Sequence, residues 1–346
     1  MKKPRLLLLL LPISLGVLTF QYNAAEENRT VIPLAEKHRG VCWVGSPRPL
    51  EGWELDSLTS VGVTHMSQTP FGWQENPNSP EIRWEKHSDR MWWGESYHGV
   101  RETTVSGREK GLESLLKPHL WVKGAWPGVI EMKSEGDWQK WFAAYGEYIF
   151  YYATMAQEQD IPILCIGTEL ELTTHREMEW RELIRGIRQI YSGRLTYAAN
   201  FTEYENVAFW DALDYIGIQA YFPLATKVNP DVKTLVQGWN KQLKGIEKIQ
   251  RRFEKPVIFT EIGYCNTVDA AIEPWVWPNE RKEVALSEDV QAKCYEAFFE
   301  AVWKKDWLAG VYFWKWYPNS RDRQPDFTPQ GKTAQQVMAL NFLQTD

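Results

Sequence analysis

Short apolar runs rich in β-branched and aromatic residues recur eight times between residues 40 and 316. Runs of this kind, bounded by Gly, Pro and Asn, are typical of buried strands. The predicted strands span residues 40–43, 62–68, 119–123, 161–167, 195–200, 215–221, 256–260 and 310–316. Helix signals lie between them, most clearly over residues 136–159, 177–192, 231–253 and 287–304. This alternation predicts an α/β protein, and the count of eight predicts a single (β/α)8 TIM barrel.

The predicted barrel has extended βα loops. The segment from the second predicted strand to about Arg108 is rich in Trp, Gly and Pro and shows no regular period. Loops of this length are normally either functional or disordered. The aromatic content of this one favours function.

The first 25 residues predict an export signal. Lys2, Lys3 and Arg5 precede an apolar run over residues 6–20, which is too short to span a membrane. Because Tyr22 makes a poor cleavage site, an uncleaved N-terminal anchor remains the alternative to a signal peptide. We therefore expect an exported protein, periplasmic or secreted, with one (β/α)8 domain over residues 26–346.

Charge and cysteine content limit the partners of the chain. The formal net charge of −6 argues against nucleic acid or an anionic membrane surface. The four cysteines have no paired short spacing, so we expect no metal site. No segment indicates a cofactor or a protein partner, and we expect a monomer.

Two of the predicted strands lead into a glutamate. Glu169 follows the run over 161–167, and Glu261 follows the run over 256–260, a separation of 261 − 169 = 92 residues. This equals three βα repeats of about thirty residues each. Functional residues of a parallel barrel lie at the carboxyl ends of its strands, so the two glutamates can face each other across the mouth. One such glutamate is commonly a surface residue, but a matched pair favours catalysis.

The chain contains 19 tryptophans. A flat apolar ring with one N–H donor suits the C–H face of a sugar and its hydroxyls. The alternative is that these rings seal long loops onto the barrel. As a group, they favour a carbohydrate groove. The tryptophans in predicted loops are Trp73, Trp84, Trp92, Trp93, Trp275 and Trp277.

Alternation along the strands predicts which other side chains reach the mouth. Gly167 lies on the face of Glu169 and is expected to leave room for a sugar ring beneath the acid. Gln219 and Tyr221 share a face of the sixth predicted strand, from which the Tyr221 hydroxyl can reach a carboxylate on the seventh. Other candidates at strand ends are Asn200 on the fifth strand and Trp314 and Trp316 on the eighth.

Two carboxyl groups at one mouth, aromatic walls and no metal-binding pattern fit glycoside hydrolysis. One carboxyl must be protonated to donate to the leaving oxygen, and the other must be ionised to attack. Close approach of two carboxyls raises the pKa of one of them. A separation of about 5–5.5 Å makes such an enzyme retaining, and about 6.5–9.5 Å makes it inverting. The residues alone leave this choice open.

The chain resembles glycoside hydrolase family 113 over about residues 39–318. That family belongs to the clan of retaining (β/α)8-barrel glycosidases, and its known members are mainly β-1,4-mannanases. The segments that carry the resemblance are 117–121, 166–170, 217–221, 258–264 and 311–316.

The resemblance implies a role for each matched residue. Glu169 would be the acid/base and Glu261 the nucleophile, which Tyr221 would orient, and a strand-eight tryptophan would line the reacting subsite. Most of the clan has Asn before the acid/base, where it binds the sugar 2-hydroxyl. Thr168 stands there in this chain, so Thr168 acting through water, or Asn200, is expected to make that contact. The remaining predicted substrate-binding residues are Trp73, His119, Trp121, Gln219, Trp314 and Trp316.

The sequence therefore predicts a retaining endo-β-1,4-mannanase that acts on a polysaccharide or oligosaccharide. The alternatives within the enzyme class are an exo-β-mannosidase and a related β-glucan hydrolase. The alternative from another class is a carbohydrate-binding barrel without activity.

Overall fold

The computed structural model describes residues 31–87, 91–281, 283–319 and 324–344. The predicted export segment, residues 1–25, lies outside them. None of the helices within those ranges has both the length and the apolar character needed to cross a bilayer.

The secondary structure alternates along the chain. Strands in the described residues are β1 (His38–Trp43), β2 (His65–Gln68), β3 (Phe71–Gln74), β4 (Glu113–Leu116), β5 (His119–Val122), β6 (Ile163–Thr168), β7 (Arg194–Asn200), β8 (Tyr215–Gln219), β9 (Val257–Ile262) and β10 (Leu308–Trp316). Their α-helices are α1 (Asp56–Thr59), α2 (Tyr97–Glu109), α3 (Glu135–Glu158), α4 (Glu177–Ile190), α5 (Val232–Phe253), α6 (Glu288–Phe298) and α7 (Thr333–Phe342).

Eight of these strands close a parallel barrel in the order β1-β10-β9-β8-β7-β6-β4-β2. Helices connect most of them, and the predicted (β/α)8 TIM barrel is confirmed. Local chemistry sets several helix starts, because the side chains of Ser134, Asp231 and Ser287 each accept a backbone N–H at the first turn of α3, α5 and α6. The barrel places the carboxyl ends of its strands at one mouth.

The third strand of the barrel differs from the prediction. Residues 119–123 were predicted to form it, but the barrel strand is β4, and β5 pairs instead with β3 in a separate two-stranded sheet. Pro70 separates β2 from β3, and Pro118 separates β4 from β5. Because proline has no N–H for the ladder, each barrel strand ends before it. Only half of the four residues in β4 are apolar, so its strand signal is weak.

The segment predicted to be irregular up to about Arg108 contains a helix, α2. The residues that α2 buries are mostly small or polar: Gly99, Val100, Thr103, Thr104 and Gly107. An apolar stripe of the usual kind is therefore missing, which explains why the prediction missed this helix.

Aromatic side chains fill the space between sheet and helices. Helix α3 contributes several of them, since Trp141, Tyr145 and Tyr152 are fully buried against the barrel. A second, smaller core occupies the barrel interior and includes Cys42 and Cys165. All four cysteines are buried free thiols. This core supports the floor of the mouth described below.

Candidate active site

Glu261 lies in β9 and points into the barrel, with 4% of its surface exposed. The Lys117 Nζ donates to its Oε1 at 2.5 Å, and the Tyr221 hydroxyl donates to its Oε2 at 2.8 Å. Burial alone would raise the pKa of Glu261, but the Lys117 ammonium reverses this effect, and the pKa lies below its ordinary value. The predicted contact between Tyr221 and a carboxylate of the next strand is present.

Lys117 is fully buried and is bonded to the protein at two points. Its Nζ also donates to the carbonyl oxygen of Thr260 at 3.1 Å. Burial lowers the pKa of Lys117, but the Glu261 carboxylate raises it above its ordinary value. The sequence prediction did not single out Lys117, because it placed the third strand after this residue. With β4 at its observed position, Lys117 follows directly on the strand end, where functional residues of a barrel lie.

Glu169 follows β6 and is partly exposed at the mouth. The Trp126 Nε1 donates to its Oε2 at 2.9 Å, and the Asn200 Nδ2 donates to its Oε1 at 2.7 Å. Burial and the negative charge of Glu261 raise the pKa of Glu169 to about 7, against the smaller effect of both hydrogen bonds. Trp126 was also missed, since it lies in a loop without a strand to mark it.

The backbone at Glu169 has a φ of 51°, in the left-handed region that residues with a side chain rarely adopt. The pairing of β6 with β7 is irregular between Cys165 and Thr168, just before this point. Alternation along β6 therefore does not extend to Glu169. In addition, the space at Gly167 is not free for a sugar, because the rings of Tyr197 and Trp180 occupy it. That expectation was wrong.

The other polar candidates contact protein groups. Gln219 is buried, and its Oε1 accepts a hydrogen bond from the Thr260 hydroxyl at 3.0 Å. Thr168 is buried too, with its hydroxyl 3.8 Å from the Cys165 Sγ. Asn200 binds Glu169, as described above.

His119 is close to the carboxylate of Glu261. Its Nε2 lies 3.8 Å from the Glu261 Oε1, which is beyond hydrogen-bond distance. Burial and the Lys117 charge lower the pKa of His119 to about 3, so the imidazole is neutral at the pH at which most enzymes work. A neutral ring beside Glu261 leaves Lys117 as the main cationic partner of that carboxylate.

The two predicted strand-eight tryptophans lie in different places. Trp314 is partly exposed and packs against Tyr221 and Phe327. Trp316 is 1% exposed in the outer core, where its Nε1 donates to the Ser57 hydroxyl. Its predicted place in the substrate site is wrong. The register between β1 and β10 shifts after Phe313, so β10 has an extra residue there and the alternation of faces changes.

An aromatic wall extends outward from Glu261. Phe71, Trp73, His119 and Trp121 lie on one face of the sheet of β3 and β5, which we call the cleft face, while the residues between them are buried on the other side. Trp73 is directly opposite Trp121, which is 57% exposed. The two rings line a cavity of about 600 Å³.

The other loop tryptophans differ in exposure. Trp84 is buried in the core and seals its loop, as the alternative held. Trp275 and Trp277 are both about two-fifths exposed, and Trp277 is perpendicular to Trp314 with 6.2 Å between ring centroids. Within the described ranges, no cluster of His, Cys, Asp and Glu could hold a metal ion.

Comparisons with known proteins agree with this fold. The family Glycoside Hydrolase Family 113 matches residues 51–332 of the chain. Among solved structures, the GH113 β-mannanase AaManA from Alicyclobacillus acidocaldarius in complex with ManMIm is 25% identical, with a TM-score of 0.78, covering 90% of this chain and 98% of its own. A second GH113 β-1,4-mannanase complex is also 25% identical, with a TM-score of 0.77, covering 89% of this chain and 99% of its own.

A more distant structure shares the fold alone. It is a β-glucuronidase from an uncultured Clostridium sp., which is 16% identical, with a TM-score of 0.57, and the match covers 88% of this chain and 50% of the glucuronidase. None of the curated proteins matches the chain. Because the family match spans far more than half of the residues, the chain belongs to glycoside hydrolase family 113.

Proposed function

We propose that this glycoside hydrolase is a retaining endo-β-1,4-mannanase, with Glu261 as the nucleophile and Glu169 as the acid/base. The observation that carries the proposal is the opposite effect of the surroundings on two carboxyls of one barrel mouth. Lys117 lowers the pKa of Glu261, whereas burial and the Glu261 charge raise the pKa of Glu169 to about 7. An ionised attacking group beside a protonated donor is the division of labour that a retaining glycosidase needs.

The reaction then takes two steps. Glu261 attacks the anomeric carbon to form a glycosyl ester while the glycosidic C–O bond breaks, and Glu169 gives its proton to the leaving oxygen. A water molecule then attacks the same carbon and releases Glu261, and Glu169 takes the proton of that water. The side chain of Glu169 ends each cycle protonated, as it began.

Mannan is the proposed substrate because the two 25% identical structures are both named β-mannanases. The charges around the cavity on the cleft face are balanced, which suits a neutral sugar. Lys123 pairs with Glu75 at 2.6 Å, and the Arg83 guanidinium lies 3.9 Å from Glu81. We propose that Trp73 and Trp121 stack on sugar units of the chain and that Trp314 lines the reacting subsite.

Endo action is supported by the way this wall continues beyond the reacting centre. His119 lies beside Glu261, and Trp121 follows two residues later on the same face, about 7 Å further along the strand. A sugar ring stacked on Trp121 would therefore belong to a different sugar unit from the one that Glu261 attacks. For the sugar 2-hydroxyl, we propose Asn200 or Thr168 as the contact, and Asn200 is favoured because its amide already reaches the Glu169 carboxylate.

Export as a monomer completes the proposal. A mannan chain is too large to cross a membrane unaided, so a hydrolase of mannan is expected outside the cytoplasm. The basic and apolar character of residues 1–20 is consistent with this location. Fractionation of cells and the molar mass of the purified protein would test the two points.

Activity on defined substrates tests the catalytic roles. Glu261→Ala is expected to abolish turnover, and added azide is expected to yield a glycosyl azide of inverted configuration. Glu169→Ala is expected to lose kcat/KM on mannan but to retain it on a dinitrophenyl glycoside, whose leaving group needs no proton. An unchanged rate in Glu261→Ala contradicts the proposal.

The products distinguish the related activities. Mid-length oligosaccharides from mannan indicate endo action, whereas mannose alone indicates an exo-β-mannosidase. Faster release of reducing sugar from a β-glucan than from mannan would favour the glucanase alternative.

A further inference from the structure

Another buried glutamate lies behind Glu169 and has no part in the chemistry described above. Glu203 is fully buried, three residues after the end of β7. Its Oε1 accepts a hydrogen bond from the Tyr197 hydroxyl at 2.6 Å, and its Oε2 accepts the backbone N–H of Asn200 at 2.9 Å. With no exposed surface, Glu203 cannot touch a substrate.

Both partners of Glu203 lead to Glu169. The Tyr197 hydroxyl accepts the backbone N–H of Leu170, the residue after Glu169, at 2.8 Å. Asn200, whose backbone binds the other oxygen of Glu203, donates from its side chain to the Glu169 Oε1. Four hydrogen bonds and the peptide bond between Glu169 and Leu170 form a closed ring that runs from Glu203 through Tyr197, Leu170, Glu169 and Asn200 back to Glu203.

We propose that Glu203 is a positioning residue for the acid/base, acting on Glu169 through Tyr197 and Asn200. The ring acts on Glu169 at two points, the backbone, through the N–H of the next residue Leu170, and the Glu169 carboxylate. The backbone point matters because Glu169 has a φ of 51°, an unfavourable conformation that the surroundings must hold in place. The carboxylate point sets the direction in which the proton is delivered.

Burial of a carboxyl at this place is unfavourable by itself. Burial raises the pKa of Glu203 to about 8, and the hydrogen bonds from Tyr197 and Asn200 oppose this only in part. Gln cannot replace it fully, because an amide has one acceptor oxygen and the ring uses two. The hydrogen bonds through which Glu203 holds Tyr197 and Asn200 in place beside Glu169 give a reason for a carboxyl group in the core.

The experiment measures how the rate depends on the leaving group, and it rests on the proposed role of Glu169. Variants Glu203→Gln and Tyr197→Phe are compared with wild type on an alkyl β-mannobioside and a dinitrophenyl β-mannobioside. For the alkyl substrate, we expect kcat/KM to fall about 10–100-fold, since a misplacement of 1 Å can cost about 10²-fold. For the dinitrophenyl substrate, we expect a change of less than about threefold, because that step needs no acid.

The control is Tyr191→Phe. The Tyr191 hydroxyl donates to the carbonyl oxygen of Ile161 at 2.7 Å in an equally buried place outside the ring. Tyr191→Phe is expected to change the melting temperature but not the ratio of the two kcat/KM values. In the Glu203→Gln/Tyr197→Phe double variant, we expect the losses not to add, because both residues act through one ring.

Equal losses on both substrates, or a loss of stability alone, would overturn the role of Glu203. Tyr197→Phe keeps the aromatic ring, so it provides the test if Glu203→Gln does not fold. Glu169→Ala separates the two hypotheses. If it shows the leaving-group effect and the Glu203 and Tyr197 variants do not, the proposed function stands and this inference fails. If Glu169→Ala shows no such effect, the acid/base assignment fails, and the inference fails with it.

Discussion

Replacing Lys117 with methionine tests what keeps the proposed nucleophile ionised. Met is similar in length to Lys but has no charge, so Lys117→Met removes the ammonium from the Glu261 Oε1 and the donor from the Thr260 carbonyl. Both side chains of the ion pair are buried, at 0% and 5% exposure. Removing one partner of a buried pair costs on the order of 3–5 kcal/mol.

The stability that Lys117→Met loses has an upper limit, because Glu261 can take up a proton instead of staying charged without a partner. Keeping a carboxyl of ordinary pKa about 4.3 neutral at pH 7 costs about 3.7 kcal/mol, at about 1.36 kcal/mol per pH unit. We therefore expect a loss of about 3–4 kcal/mol in the free energy of unfolding at pH 7. At pH 5, the same protonation costs only about 1 kcal/mol, so the difference from wild type becomes smaller.

The sign of the pH dependence is opposite in the two proteins. In the wild type, the lowered pKa of Glu261 contributes stability above its unfolded pKa, and this is lost as the pH falls through the folded value. In Lys117→Met, burial without the ammonium raises the pKa of Glu261. Stability then falls as the pH rises from the unfolded pKa through the new folded one. Activity at pH 7 is lost because a protonated carboxyl cannot attack.

Denaturant unfolding between pH 5 and 8, with kcat/KM at each pH, is the measurement. The double variant Lys117→Met/Glu261→Gln removes both charges and is expected to recover most of the lost stability. Lys293→Met, which breaks the exposed pair with Asp289, is the matched control and is expected to change stability little. A stability loss in Lys117→Met that is the same at every pH would show that lost packing, and not charge, is the cause. That result would refute the reasoning.

Two further changes test the mouth. Trp126→Phe removes a hydrogen bond that lowers the pKa of Glu169, so the alkaline limit of the kcat/KM profile is expected to move up by about half to one pH unit. An unchanged limit would show that Trp126 does not affect the pKa of the acid. Trp121→Ala is expected to raise KM on mannan about tenfold and to spare a dinitrophenyl mannoside, whereas Trp121→Phe keeps most of the stacking. Equal effects on both substrates would contradict a distal sugar contact.

The pattern of the chain was sufficient to predict the barrel and the positions of both glutamates. Period and spacing are local properties, and the short strands before Glu169 and Glu261 are apolar up to the threonine that precedes each glutamate. The prediction failed where the local signal was weak. β4 has few apolar residues, so its position was wrong, and Lys117 at its end was missed as a consequence.

Other errors came from assuming regular alternation. The shift in register near the end of β10 places Trp316 in the core, and the left-handed backbone at Glu169 ends the alternation of β6. Asn200 and Trp126 bond to Glu169 from 31 and 43 residues away in the chain, and Glu203 acts on Glu169 only through Asn200 and Tyr197. No local pattern marks such contacts, since they depend on how the whole barrel closes.

The sheet of β3 and β5 is separate from the eight-stranded barrel. Substitutions on its cleft face therefore alter a wall that the ring of strands does not need in order to close. Preference for longer or shorter glycans could then diversify, by natural drift or by engineering, while the paired acids retain their geometry. Libraries of variants at positions 73 and 121 would change glycan preference with little risk to the barrel.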